Sequence, residues 1–367
     1  VDVGPDPATG KRQQILRQGF ANRKQAEAAL SVLLHEVETG TVSRRSRITV
    51  GEFFADWLAS QRQRLRPTTL RSYQIAADRI TRQIGRMPLQ ALTPAQIEKL
   101  YTDLLENGNL RDRLAAKTVR NTHVVLRKAL ADAERLGLVP RNAAAAAKPP
   151  TAPRKEFNTW STDELREFFA IARDDRLFAA YVLLATTGMR RGEVLGLRWG
   201  DIDFDAAQLG IVQTLTTVDF VPTFSPPKTA RSRRVVYLDD QTMSVLKQHR
   251  RLQRQERLAV GEVWDTTNDL AFRDDLGRLL HPEWFSREFV RLTRLAGLPR
   301  IRLHDLRHTY ATIALKAGVH PKVVSERLGH ATVGITLDLY SHVTPAIARD
   351  AADVVASKIF ELDLSRR

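Results

Sequence analysis

Between Pro140 and Lys155 the chain loses every periodic apolar pattern: Pro140, the Ala143–Ala147 run, Pro149, Pro150 and Pro153 leave no amphipathic face before Arg154-Lys155. A hydrophobic core does not run through such a stretch, so the chain divides there. Its 367 residues agree, since single cores stop growing near ~250–300 residues. We read residues 141–156 as a tether joining two parts that work on opposite sides of a ligand.

Before the tether the pattern is helical. Thr49 with Glu52 makes a capping box, and Thr93, Pro94 and Gln96 open another helix ahead of Ile97, Leu100, Leu104 and Leu105, ended by Gly108. Val119, Thr122, Leu126, Leu130 and Ala133 mark a further helical stripe that stops at Gly137, which predicts a four-helix domain within 46–140. Ahead of it, residues 1–45 carry a turn signal at Asp6-Pro7-Ala8-Thr9-Gly10 and a strand-like run around Ile15 and Leu16. A helix capped by Asn22 with Gln25 follows, with Ala26, Leu30, Leu33, Leu34 and Val37 at helical spacing up to Gly40. This is a small β+α unit.

Residues 157–367 open with Ser161 and Glu164 and stay mainly helical, with one interruption. Leu209–Leu215 and Arg233–Leu238 are rich in β-formers and predict two strands of a hairpin, whose long connection holds Pro222, Pro226 and Pro227. The expected fold is therefore multi-domain and mainly α with a small β component: a β+α N-terminal unit, a helical domain and a mixed, mostly helical third domain.

Charge narrows the partner. The chain has 57 Lys and Arg against 42 Asp and Glu, a net +15, and residues 46–150 carry +9 of it through 18 basic and 9 acidic side chains. That balance favours a polyanion such as nucleic acid. The absence of cysteine excludes disulfides and thiolate metal sites and fits a reducing compartment, so a cytoplasmic location is expected. No apolar run approaches the ~18 residues of a membrane span, and no signal-peptide pattern stands at Val1. A start at valine predicts a few further native residues ahead of it.

Four segments of the last domain mix cations, imidazoles and a phenol: Thr187-Gly188-Met189-Arg190-Arg191-Gly192-Glu193, Pro227-Lys228-Thr229, His304-Asp305-Leu306-Arg307-His308, and Leu328-Gly329-His330 running to Tyr340. If they converge they form a phosphate site. Arg190 and Arg307 fit the non-bridging oxygens of a phosphodiester and the charge that grows in a pentavalent transition state. A phenol with an ordinary pKa near ~10 needs cations and a base to act as nucleophile, so His304 is placed as proton acceptor for Tyr340. Lys228 is suited to protonate the departing 5′ oxygen, and His330 to hydrogen-bond the phosphate.

Each piece also has a plainer reading. Arg190 with Glu193 fits a helix-terminus ion pair, and Lys228 fits a solvated loop. His304 and His308 stand at zinc-helix spacing, but the glutamate of that motif is missing and Arg307 would sit beside the metal. Tyr340 could be a packing tyrosine, with Tyr310 its rival on spacing alone.

The order and spacing of the four segments resemble the active-site boxes of the tyrosine site-specific recombinases, the phage-type integrases. The resemblance implies that Arg190, Lys228, His304, Arg307 and His330 activate one phosphate, that Glu193 supports the first arginine, and that Tyr340 forms a 3′-phosphotyrosine link. Bond energy is kept in that link, so no metal and no cofactor is expected. Residues 46–140 resemble the family's core-binding domain, and 1–45 its small arm-binding domain with a shortened first strand. Gly334, Thr336 and Asp338 before Tyr340, and Ser341-His342 after it, are similar to the integrase form of the tyrosine box.

The implied partners are double-stranded DNA attachment sites, three further copies in a homo-tetramer on DNA, and DNA-bending accessory or directionality factors, in a bacterial nucleoid. The amphipathic tail with Ala348, Ala351, Val354, Val355, Ile359 and Phe360 fits either the core or a neighbouring protomer. Three competitors remain in view: a non-cutting DNA-binding relative, a type IB topoisomerase, and a helix-turn-helix repressor that would leave the four boxes without a role.

Overall fold

The computed structural model describes residues 1–5, 12–16, 18–38, 47–106, 113–153, 157–227, 233–330, 332–339, 355–357 and 359. The chain is multi-domain and mainly helical, and it separates into two compact units, Val1–Arg154 and Lys155–Arg367. The turn at residues 6–10, Gly40, Gly108, Lys228 and Tyr340 lie outside the described residues.

In the first unit, strand β1 (Asp2–Pro5) pairs antiparallel with β2 (Arg12–Gln14), so the strand ends just before the expected Ile15. Helix α1 (Arg23–Glu38) starts where its cap predicts: the Gln25 amide donates to Asn22 Oδ1 at 2.9 Å and the Ala21 amide to Gln25 Oε1 at 3.2 Å. Four helices follow, α2 (Val50–Gln61), α3 (Pro67–Ile84), α4 (Pro94–Glu106) and α5 (Ala116–Arg135). The Thr49/Glu52 box fixes the start of α2 in both directions. At α4 the Thr93 amide donates to Gln96 Oε1 at 2.8 Å.

One face of each helix is buried, and Phe53, Phe54, Trp57, Ile80, Leu100 and Leu126 lie in their common core. Trp57 stacks on Tyr73 and donates its indole N–H to Asp132 at 2.8 Å, tying α2 to α3 and α5. Part of the stretch read as a tether belongs to this core. Asn142 caps a one-turn helix α6 (Ala143–Ala146), and Ala143, Ala144 and Ala147 are buried, because small side chains let the segment lie close against its neighbours.

In the second unit, the Ser161/Glu164 box opens α7 (Thr162–Ala172), and α8 (Phe178–Thr187) runs through the centre. Its residues from Ala179 to Ala185 are all buried, as expected for a helix apolar on every side. Phe168, Phe285 and Phe289 pack around its Tyr181, and Trp160 lies against Phe168 and Phe289. The short α9 (Arg191–Leu195) leads to strands β3 (Ile202–Asp203) and β4 (Gln208–Ile211).

The expected hairpin needs correction. β4 does pair antiparallel with β7 (Arg234–Tyr237), giving the order β3-β4-β7. The run Leu209–Leu215, however, breaks after Ile211, where Gln213 Nε2 donates to Gly196 O at 2.8 Å. Thr214–Val218 forms a separate strand β5 that pairs with β6 (Val221–Ser225) inside the expected connection. Asp219 and Phe220 make that turn with φ of 48° and 66°, the left-handed pair of a tight two-residue hairpin. Such turns favour Asn-Gly, so Asp-Phe carries no signal for one. Pro222 sits opposite Thr217 in a two-stranded ribbon, where both strands are edges and a missing N–H is tolerated.

The remaining helices are α10 (Asp240–Val260), α11 (Pro282–Leu295), α12 (Asp305–Lys316), α13 (Pro321–Leu328) and α14 (Val333–Leu339). Of the tail stripe, Val355 and Ile359 are described and both are exposed.

Candidate active site

Helices α8, α12 and α13 meet around Gly188, which ends α8 with a φ of 65°. A Cβ there would stand 2.5 Å from Leu328 Cδ2 and 2.6 Å from Tyr310 Cδ1, so any other residue would have to push those side chains aside as well as take up a left-handed backbone. Gly329 ends α13 in the same left-handed way, with a φ of 66°. Two helix C-termini, each with unpaired carbonyls, therefore come together at one place.

Both arginines of the expected clamp grip those carbonyls. Arg307, only 4% exposed, donates from Nη1 to Gly188 O at 2.8 Å and from Nη2 to Leu328 O at 2.7 Å. Arg190 donates from Nη2 to the next carbonyl, Gly329 O, at 3.2 Å, and from Nη1 to Glu193 Oε1 at 2.7 Å. Its side chain stays 38% exposed, against 1% for that of Glu193.

Glu193 is buried behind it. Burial pushes its carboxyl up, but Arg234 and then Arg190 pull it further down, and it ends below the ordinary carboxylate range. Arg234, on β7, donates to Glu193 from Nη1 at 3.2 Å and from Nη2 at 3.0 Å.

His330 follows Gly329. Desolvation first, then Arg307, Arg190, His308 and Arg234, push its pKa down to about 4. The ring is thus neutral near pH 7, with Nδ1 2.8 Å from Thr336 Oγ1 on α14. His304 stands at the N-terminus of α12, and it too is pushed down, first by desolvation of its ring and then by His308 and Arg307. His308 is buried, 5.5 Å from the His304 ring and 4.1 Å from Phe157. Tyr310, the rival phenol, packs against the cluster of Ala311, Leu315, Val324 and Leu328, with the Arg327 guanidinium 5.9 Å from its ring.

The structure thus brings together Arg190, Glu193, His304, Arg307 and His330, while Lys228 and Tyr340 lie outside the described residues. Helix α14 ends at Leu339, one residue before Tyr340. Two groups escaped the sequence reading of the site. Arg234 was visible only as a cation at the start of a strand, and Thr336 only as part of the tyrosine box.

Residues 159–346 match the family model described as the phage integrase family. The chain belongs to the phage integrase family. Residues 49–105 match a second model, the phage integrase N-terminal SAM-like domain. The chain is 28% identical to a tyrosine recombinase XerC-like protein of Caldanaerobacter subterraneus subsp. tengcongensis, with 97% of this chain and 94% of the relative covered. It is 26% identical to the ICEBs1 integrase of Bacillus subtilis, over 96% and 95% of the two chains. Among solved structures, the Tn1549 transposon integrase in complex with transposon right-end DNA shares the fold, with a TM-score of 0.71 at 20% identity over 84% of this chain and 99% of that one. This integrase-family chain is a tyrosine recombinase.

Proposed function

We propose that this recombinase cleaves and rejoins double-stranded DNA at specific attachment sites, integrating or excising a mobile element or phage genome, with Tyr340 as nucleophile. The observation that carries the site is the grip of Arg307 and Arg190 on the consecutive carbonyls of Leu328 and Gly329, which holds two guanidiniums side by side. Cations fixed before the substrate arrives stabilise growing phosphorane charge without reorganising.

In the proposed step the Tyr340 oxygen attacks the phosphorus, and the bond to the 5′ oxygen breaks. The phenolic proton passes to His304, which is neutral near pH 7 and so able to accept it. Lys228 gives a proton to the departing 5′ oxygen. A bound phosphodiester would offset the cations around His304 and raise its proton affinity at the moment it is needed. Rejoining reverses these transfers with a new 5′ hydroxyl.

Residues 1–45 are proposed as an arm-type DNA-binding domain, 46–140 as the core-binding domain, 141–156 as the linker, of which Ala143–Ala147 packs on the core-binding domain, and 157–367 as the catalytic domain. Charge supports the second assignment. A groove of about 980 Å³ between α5 and the α6 segment is lined by Arg120, Arg127, Lys128 and Lys148, a match for a phosphate backbone. The similarity to the ICEBs1 integrase, and the fold shared with the transposon integrase seen on transposon right-end DNA, support the same substrate. The working form is proposed to be a homo-tetramer on DNA, aided by bending or directionality factors in the host nucleoid. No helix among the described residues is long and apolar enough to cross a membrane.

The test is incubation with a nicked suicide duplex carrying a candidate attachment site in excess EDTA, followed by peptide mass mapping of any denaturation-resistant adduct. An adduct on Tyr340, lost in Tyr340→Phe with DNA binding retained, is the expected result. A strict need for a divalent metal, or an adduct on Tyr310, would overturn it.

A further inference from the structure

We infer that Arg234 is a positioning residue of this active site, holding Glu193 in place behind Arg190 and fastening the pair to the C-terminal end of α13. The inference rests on the reading of Arg190 and Arg307 as the phosphate clamp.

The geometry begins with three consecutive carbonyls. Arg234 Nε donates to Arg327 O at 2.6 Å, Arg307 Nη2 to Leu328 O at 2.7 Å, and Arg190 Nη2 to Gly329 O at 3.2 Å. These are the unpaired carbonyls of a helix end, where partial negative charge gathers and cations are favoured. Gly329 makes the approach possible, since a Cβ there would lie 2.9 Å from Arg234 Nη1.

Charge balance gives Arg234 its role. Glu193 and Arg234 are both buried, with side chains 1% and 7% exposed. A buried carboxylate with Arg190 as its one cationic partner would neutralise that arginine, and an arriving phosphodiester would meet an ion pair of no net charge. With Arg234 also on the carboxylate, the group of three is net positive, and the positive charge that reaches solvent is on Arg190. Arg234 thus satisfies Glu193 while leaving Arg190 a cation toward the phosphate.

Shape makes arginine the residue for this position. Nη1 and Nη2 both reach Glu193, while Nε points to the Arg327 carbonyl. Only a planar fork serves a carboxylate and a carbonyl at once; a lysine would supply the charge without the angle.

The experiment measures single-turnover cleavage of a nicked suicide duplex by the full chain at saturating protein. DNA affinity and melting temperature are measured in parallel for Arg234→Gln, Arg234→Lys, Glu193→Gln with Arg234→Gln, and Arg190→Ala. Arg234→Gln is expected to slow cleavage on the order of 100-fold, the scale of a reacting group displaced from afar, with DNA affinity retained. Arg234→Lys is expected to fall between it and the native protein. Adding Glu193→Gln to Arg234→Gln is expected to return part of the rate, because the unbalanced carboxylate is gone.

Native-rate cleavage by Arg234→Gln overturns the inference. So does a loss of affinity and melting temperature in step with rate in both single variants, which marks a role in folding alone. Should the glutamine variant not fold, the lysine variant decides: slow cleavage with intact binding supports the role, and native rate refutes it. Native-rate cleavage by Arg190→Ala would instead sink the clamp reading itself, and the inference with it.

Discussion

His330 Nδ1 lies 2.8 Å from Thr336 Oγ1, a bond that joins the histidine after α13 to the helix ending one residue before Tyr340. Thr336 is fully buried, so its hydroxyl has no water to fall back on. Thr336→Val keeps the shape and removes the partner. We expect cleavage to slow about 10-fold, the scale of one lost buried hydrogen bond, in single-turnover adduct formation. An unchanged rate would show that His330 is held by packing alone.

Arg190 and Arg307 should separate by stability. Each alanine variant is expected to lose about 100- to 1000-fold in cleavage, as loss of a preorganised donor does. Arg190→Ala should melt near the native temperature, because its side chain is partly exposed. Arg307→Ala leaves the Gly188 and Leu328 carbonyls without their donor and should also lose about 1–3 kcal/mol of stability. Chemical denaturation beside cleavage kinetics checks both, and near-native rates would remove the phosphate clamp.

Acid should weaken the fold through the site histidines. His330 has a native pKa of about 4 against an ordinary 6.5, so between those values the unfolded chain binds a proton that the native chain refuses. Its contribution is complete above pH 6.5 and is lost as pH falls toward 4, by up to about 1.4 kcal/mol per pH unit for one proton. His308 shifts in the same direction, burial being the first cause. Melting temperature should therefore drop across pH 6.5 to 4, and His330→Asn should flatten that drop. Equal slopes in the two proteins would contradict the burial of a neutral His330.

Lys228 has a chemical signature as general acid. A substrate with sulfur in place of the 5′ bridging oxygen leaves as a thiolate and needs no proton. Lys228→Ala should cleave the ordinary duplex far more slowly than the native protein does, and the sulfur-bridged one at a nearly native rate. Equal defects on the two substrates would assign Lys228 to binding.

Local signals made much of this legible. Thr49 with Glu52 and Ser161 with Glu164 mark helix starts because a cap is settled within four residues. The four segments proposed as the active site are legible as motifs, and Gly188 shows why the first contains glycine. Long-range events were not. Arg234 looks like one more cation among Arg231, Arg233 and Arg234, and only folding sets it against a carboxylate 41 positions away. The Asp219-Phe220 turn takes a backbone form that its residues do not advertise, and Ala143–Ala147 reads as a spacer until a core closes over it.

The eight-residue helix α13 carries a further consequence. Arg234, Arg307 and Arg190 each direct one donor to one of three consecutive carbonyls at its C-terminal end, while Gly188 and Glu193 hold their other donors, so a slight withdrawal of that one helix would loosen three guanidiniums at once without freeing any of them. The three arginines are therefore expected to respond in step to any shift of that helix.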